Sequence, residues 1–133
     1  MSVKGPVLVV DANLVMTAIV AERLGQIGLT DVHQSANLRT TITLLETHKF
    51  GLIIAEYELH PITGFDLWRV LTGRDEWSSV PFILMATDER KRANIVRFEE
   101  AGLPMVLVKP FSAEQLKASI DLVASANPFE VAI

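Results

Sequence analysis

The sequence predicts a single α/β domain in which a parallel sheet carries helices on both faces. Apolar, β-branched runs alternate with helical periods five times along the 133 residues. Four of those runs have no polar alternation: VLVV at 7–10, LIIA at 52–55, FILMA at 82–86 and MVLV at 105–108. Continuous apolar strands are covered on both faces, which is the pattern of a parallel sheet. Strict strand–helix alternation then gives a doubly wound fold with right-handed crossovers.

In chain order, Asp11 ends the first run, and a helix is expected from about Asn13 to Ile27 with Gly28 as its stop. Residues 30–35 (TDVHQS) make a weak second strand. Leu38, Ile42 and Leu45 recur at i, i+4 and i+7, one face of a helix that ends near Lys49. Gly51 separates it from the third strand, and Phe65, Trp68 and Leu71 give a short helix stopped at Gly73. Residues 74–80 (RDEWSSV) read as a polar connection, in which an exposed Trp77 would be a contact candidate, whereas Trp68 reads as core. Ile95, Phe98 and Leu103 flank a fourth helix ending at Ala101-Gly102. The last helix carries Leu116, Ile120 and Val123, and Ser112 with Gln115 has the form of its capping box. Residues 1–126 are assigned to the domain and 127–133 (NPFEVAI) to a short apolar tail. The tail is expected to pack back on the domain or to meet a partner, with a disordered end as the alternative.

Composition narrows the function. Half the residues are hydrophobic and 21% are charged, as in a globular protein. The absence of cysteine excludes disulfides, thiolate metal sites and a cysteine nucleophile. The N-terminal residues lack the form of a signal peptide, and no apolar run reaches the ~18 residues of a membrane span; a cytoplasmic location is expected. A net charge of −4 argues against nucleic acid as partner. The basic run Arg90, Lys91, Arg92 follows Asp88 and Glu89, and reads as a self-neutralised helix start. His33, His48 and His60 share no ligand spacing.

The residues just beyond strands one, three, four and five share one edge of such a sheet: Asp11, Glu56, Ala86-Thr87 and Lys109. Two carboxylates, a hydroxyl and an ammonium at one spot suit divalent-cation and phosphoryl chemistry. With VLVVDAN at 7–13, the eight-residue spacing from Glu56 to Gly64, AG at 101–102 and VKPF at 108–111, the chain resembles response-regulator receiver domains, the CheY-like family. The resemblance runs from about Val7 to Val123 and implies a five-stranded sheet in the order 2-1-3-4-5 of the flavodoxin-like fold. It also implies a cis Lys109–Pro110 bond.

In that family a histidine kinase donates a phosphoryl group to an aspartate at the end of strand three, assisted by Mg²⁺. Asp11 matches the first of the two acids after strand one, Thr87 the hydroxyl and Lys109 the lysine. Counting from Pro81 would place the hydroxyl at Ala86; counting back from Lys109 selects Thr87, with an irregularity in the strand-four region. The second acid is Ala12, the acceptor is Glu56, the proline four residues on is displaced to Pro61 beyond His60, and the strand-five aromatic is Val106. Ala12 removes a charge and an oxygen ligand, so Mg²⁺ held by Asp11 and Glu56 is expected to be weak or lost. Glu56 carries its carboxylate one methylene too far for in-line attack.

The expectation is therefore an atypical receiver, a degenerate phosphorylation site and no catalytic residues. It acts by binding a protein such as a histidine kinase or a downstream signalling protein. Glu56 either pairs with Lys109 and keeps the pocket neutral or imitates phospho-aspartate; retained phosphorylation is the third possibility. Glu58 occupies the position that tunes water access in the family, or is a solvated loop charge. The family's usual partner face points to Arg90, Arg97, Met105 and Val106, with a homodimer through the helix 4–strand 5–helix 5 face as an option. No DNA-binding segment follows residue 133, so protein binding is the expected output. A cofactor-binding protein or enzyme of flavodoxin-like fold is the alternative. It is disfavoured because DANLVM at 11–16 lacks a Ser/Thr/Gly-rich phosphate loop and no GxGxxG, GxxxxGK[ST] or GxSxG is present.

Overall fold

The computed structural model describes residues 3–87 and 97–124 and the backbone of 130–132. Strands β1 (Val7–Val10), β2 (Val32–Ser35), β3 (Leu52–Glu56), β4 (Phe82–Thr87) and β5 (Met105–Lys109) alternate with helices. The helices are α1 (Leu14–Gln26), α2 (Leu38–Thr47), α3 (Gly64–Thr72), a helical segment over 97–101 (α4) and α5 (Ala113–Ala124). All strand pairs are parallel and the core order is β2-β1-β3-β4-β5, as the sequence predicts. A short sixth strand, β6 (Glu130–Ala132), extends this sheet: it pairs parallel with Met105–Leu107 at the outer edge of β5.

The unbroken apolar strands serve two cores at once. Leu8, Val10, Ile53, Ala55, Phe82, Leu84, Val106 and Val108 face one layer, packed with Leu45 of α2, Phe65, Leu67, Trp68 and Leu71 of α3, and Phe98 of α4. Their alternate neighbours, including Val7, Val9, Leu52, Ile54, Ile83, Met85, Met105 and Leu107, pack against Val20 and Leu24 of α1 and Leu116, Ile120 and Val123 of α5. Period-two alternation therefore sends the apolar side chains of β1, β3, β4 and β5 into one layer or the other. β2, at the sheet edge, is buried only at Ser35, which explains its weak sequence signal.

Helix ends follow local chemistry. Asn13 and Asn37 cap α1 and α2 by accepting the N–H groups of Met16 and Thr40. The Ser112–Gln115 box before α5 forms in both directions, at 3.1 and 2.8 Å. A second box, Thr63 with Asp66, starts α3 and was not anticipated, because Asp stands where the signature looks for Glu or Gln. Trp77 corrects an expectation: it is buried in the α2/α3 layer, with the Arg74 guanidinium 4.6 Å over its ring. The polar letters around it hide this, since one apolar residue in a turn carries no periodicity.

Candidate functional site

β1 leads through α1 to β2 on one side, while β3 lies on the other side of β1. The crossovers therefore diverge between β1 and β3, and a crevice opens at their carboxyl ends. Asp11 follows β1 there and Glu56 is the last residue of β3; Thr87 and Lys109 end β4 and β5 in register with each other. That pairing is regular from Leu84↔Val106 to Thr87↔Lys109, which sets Thr87 beside Lys109 at the strand ends and leaves Ala86 in the core.

Asp11 is buried at 3% exposure. Its Oδ1 accepts the Asn13 N–H at 2.9 Å, while its Oδ2 is buried with no hydrogen-bond partner. Burial raises its pKa above the ordinary carboxylate value, and the Glu56 charge adds to the rise; the Asn13 N–H and Lys109 oppose it. Glu56, also buried, has both oxygens engaged: Oε1 forms an ion pair with Lys109 Nζ, and Oε2 accepts the Glu58 N–H at 2.8 Å. The Thr87 Oγ1 is buried and without a partner. Ala12 is exposed and brings no side-chain donor.

The loop after Glu56 folds back on the strand end. The Gly64 N–H donates to the Tyr57 carbonyl at 2.9 Å, and a Cβ on Gly64 would lie 2.2 Å from the Glu56 carbonyl oxygen. This contact is the physical reason for a glycine eight residues after the acceptor position. Lys109–Pro110 is cis, as expected, and so is His60–Pro61. Glu58 and His60 are exposed on this loop, and the Tyr57 ring packs tilted against Phe98 with centroids 5.6 Å apart.

The arrangement tests the cation that such a site calls for. Mg²⁺ takes near-octahedral oxygen ligation from one or two carboxylates plus waters and substrate oxygens. Here Asp11 Oδ2 is the one carboxylate oxygen of the Asp11–Glu56 pair left without a partner. Among the described residues no group of three or more His, Asp or Glu is placed to hold a metal. One unpartnered carboxylate oxygen is a sparse donor set for Mg²⁺.

The residues expected on a partner face differ in exposure. Met105 and Val106 are buried, one in each core layer, and cannot offer side chains to a partner. Arg97 is exposed, but its guanidinium lies over the Phe65 and Phe98 rings, toward α3. Arg90 lies outside the described residues. No helix among the described residues is long and apolar enough to cross a membrane.

Comparison with known proteins agrees with this geometry. The model of the response regulator receiver domain matches residues 7–121. The chain is 30% identical over 115 residues to the chemotaxis protein CheY of Pseudomonas aeruginosa, covering 86% of this chain and 92% of that protein. It is 29% identical to chemotaxis protein CheY-3 of Vibrio cholerae, over 86% and 88% of the two chains. Among solved structures, the receiver domain of a signal transduction histidine kinase from Syntrophus aciditrophicus superimposes with a TM-score of 0.79 at 23% identity, covering 92% and 91%. The chemotaxis response regulator CheY4 of Vibrio cholerae gives 0.77 at 24%, covering 90% and 98%. At these identities the two structures speak for the fold.

Proposed function

Because the chain belongs to the response regulator receiver domain family, modules of two-component signal transduction, we propose that it is an atypical receiver that signals by binding a protein without accepting a phosphoryl group on Glu56. One observation carries this reading. Glu56 already spends both carboxylate oxygens, one on the Lys109 ammonium and one on the Glu58 N–H. An oxygen so engaged is a poor nucleophile, and the lysine that would steady a transferred phosphoryl group is neutralised by the same contact. The added methylene of Glu56 moves the attacking atom away from an in-line approach. Ala12 leaves Asp11 as the remaining acid of the pair, so Mg²⁺ binds weakly.

The geometry favours neutral pairing over imitation of phospho-aspartate. A mimic would engage the hydroxyl at the end of β4, and the Thr87 Oγ1 has no partner. The partner is a histidine kinase or another protein of the signalling pathway, in line with what receivers meet. Intact-mass measurement after treatment with acetyl phosphate and Mg²⁺ tests the reading. The parent chain gains no phosphoryl adduct, and the double variant Ala12→Asp/Glu56→Asp gains one. An adduct on the parent that disappears in Glu56→Gln would overturn it.

A further inference from the structure

We propose that His33 and His48 form a two-imidazole site for a divalent transition ion of the nickel or copper class. His33 is the second residue of β2, and His48 caps the end of α2 just before β3 begins. The pair therefore lies toward the amino ends of the strands, away from the Asp11–Glu56–Lys109 cluster at their carboxyl ends. Their separation in sequence is not that of a helical or short-loop chelate, and only the fold joins them.

The hydrogen bonds around each ring fix which nitrogen keeps a lone pair. The Thr47 hydroxyl has one proton, and it lies against the Thr43 and Leu44 carbonyls at 3.0 and 3.2 Å. It therefore accepts from His48 Nδ1 at 2.9 Å, and the Leu44 carbonyl is a second acceptor 3.3 Å from the same nitrogen. The His48 proton sits on Nδ1, which leaves the lone pair on Nε2. His33 Nε2 faces Asp31 Oδ1 at 3.3 Å. A carboxylate accepts only, so Nε2 carries the His33 proton and Nδ1 its lone pair. A ring that donates one N–H to a carboxylate or carbonyl and offers its other nitrogen is in the form that binds metals.

The ring geometry suits a shared ion. The His33 and His48 centroids are 4.7 Å apart with planes inclined at 57°. With nitrogen–metal bonds of about 2.0–2.1 Å, that separation corresponds to roughly 95° at the ion. This is the angle between neighbouring ligands in tetragonal nickel and copper sites. The buried Phe50 ring packs on both imidazoles, 5.4 Å from His33 and 5.7 Å from His48, and restrains them before binding. Both imidazoles reach solvent, His48 as an exposed residue and the His33 side chain at 30% exposure, so water completes the coordination. Asp31 orients His33 from behind; the site is a pair of ligands and not a cluster of three.

The experiment is an NMR titration of the whole nitrogen-15-labelled chain with Ni²⁺ at neutral pH, with Mg²⁺ as the comparison. Paramagnetic broadening should centre on the His33 and His48 rings and saturate at one ion per chain. Mg²⁺, which seeks oxygen ligands, should leave both rings unmoved. His33→Gln and His48→Gln should each weaken Ni²⁺ binding at least tenfold, ~1.4 kcal/mol, whereas His60→Gln should leave it unchanged. Saturating Ni²⁺ should also raise the Tm of the parent and not of the two variants. Broadening that does not saturate, that centres on His60 or on the Asp11–Glu56 pocket, or that persists at parental affinity in both variants overturns the proposal. The parent titration alone locates the ion, so the conclusion does not depend on the variants folding. It is also independent of whether Glu56 accepts a phosphoryl group.

Discussion

Replacing Lys109 by methionine removes the positive charge that faces Glu56 and Asp11 while keeping most of the side-chain volume. The Glu56 and Lys109 side chains are 6% and 15% exposed, so the pair is largely out of water. Breaking a buried pair by removing one partner costs roughly 3–5 kcal/mol, because the other charge stays behind. The lower end applies here, since Glu56 Oε2 keeps the Glu58 N–H. For a chain of 133 residues the unfolding entropy is about 0.28 kcal/mol per kelvin, so a loss of ~3 kcal/mol lowers Tm by about 10 °C. Glu56→Gln costs less, about 1–3 kcal/mol, because the freed ammonium is nearer solvent. In the double variant Glu56→Gln/Lys109→Met no unpaired charge of this pair remains. The cycle should show a coupling of about 2 kcal/mol. Urea unfolding of the four proteins at neutral pH supplies these values. A coupling below ~0.5 kcal/mol would refute the view that this ion pair organises the pocket.

Asp11→Asn should stabilise the domain at pH 7 by on the order of 1 kcal/mol. The folded-state pKa of Asp11 is raised above its unfolded value, mainly by burial. Its charge therefore costs stability above the raised value, and the cost is relieved as pH falls through that value toward 3.8. Urea curves of parent and variant should converge as pH approaches 4, and a variant less stable than the parent at pH 7 contradicts the assignment. Gly64→Ala should cost about 2–4 kcal/mol, since its Cβ would meet the Glu56 carbonyl oxygen; thermal unfolding within 2 °C of the parent would mean that the loop yields freely.

Much of the fold was legible because its signals are local. Four continuous apolar runs could serve only strands buried on both faces, and each lies where it was expected. The helices with periodic apolar faces begin and end within a few residues of the expected bounds, since caps such as Asn13 and Ser112–Gln115 act over three residues. Asp11, Glu56, Thr87 and Lys109 could be gathered at one edge because parallel strands put all their carboxyl ends on the same side. What escaped depended on neighbours distant in sequence. Trp77 sits in a polar stretch, and only the surface of the α2/α3 layer makes it core. Met105 and Val106 were read both as part of a strand covered on both faces and as part of a partner face, and their burial agrees with the first reading. Arg97, though exposed, lays its guanidinium over an aromatic ring on α3.

By itself, then, the sequence determined the alternation of strands and helices, the parallel sheet and the four polar groups at its carboxyl edge, because each follows from periodicity and connectivity. The tertiary structure decided how those groups spend their charges. Glu56 and Lys109 are 53 residues apart, and only the packing of β3, β4 and β5 brings the carboxylate onto the ammonium. Asp11 Oδ2 and Thr87 Oγ1 are each buried with unmet hydrogen-bonding capacity. No local rule predicts that partition, since it depends on how side chains from separate strands share one dry space.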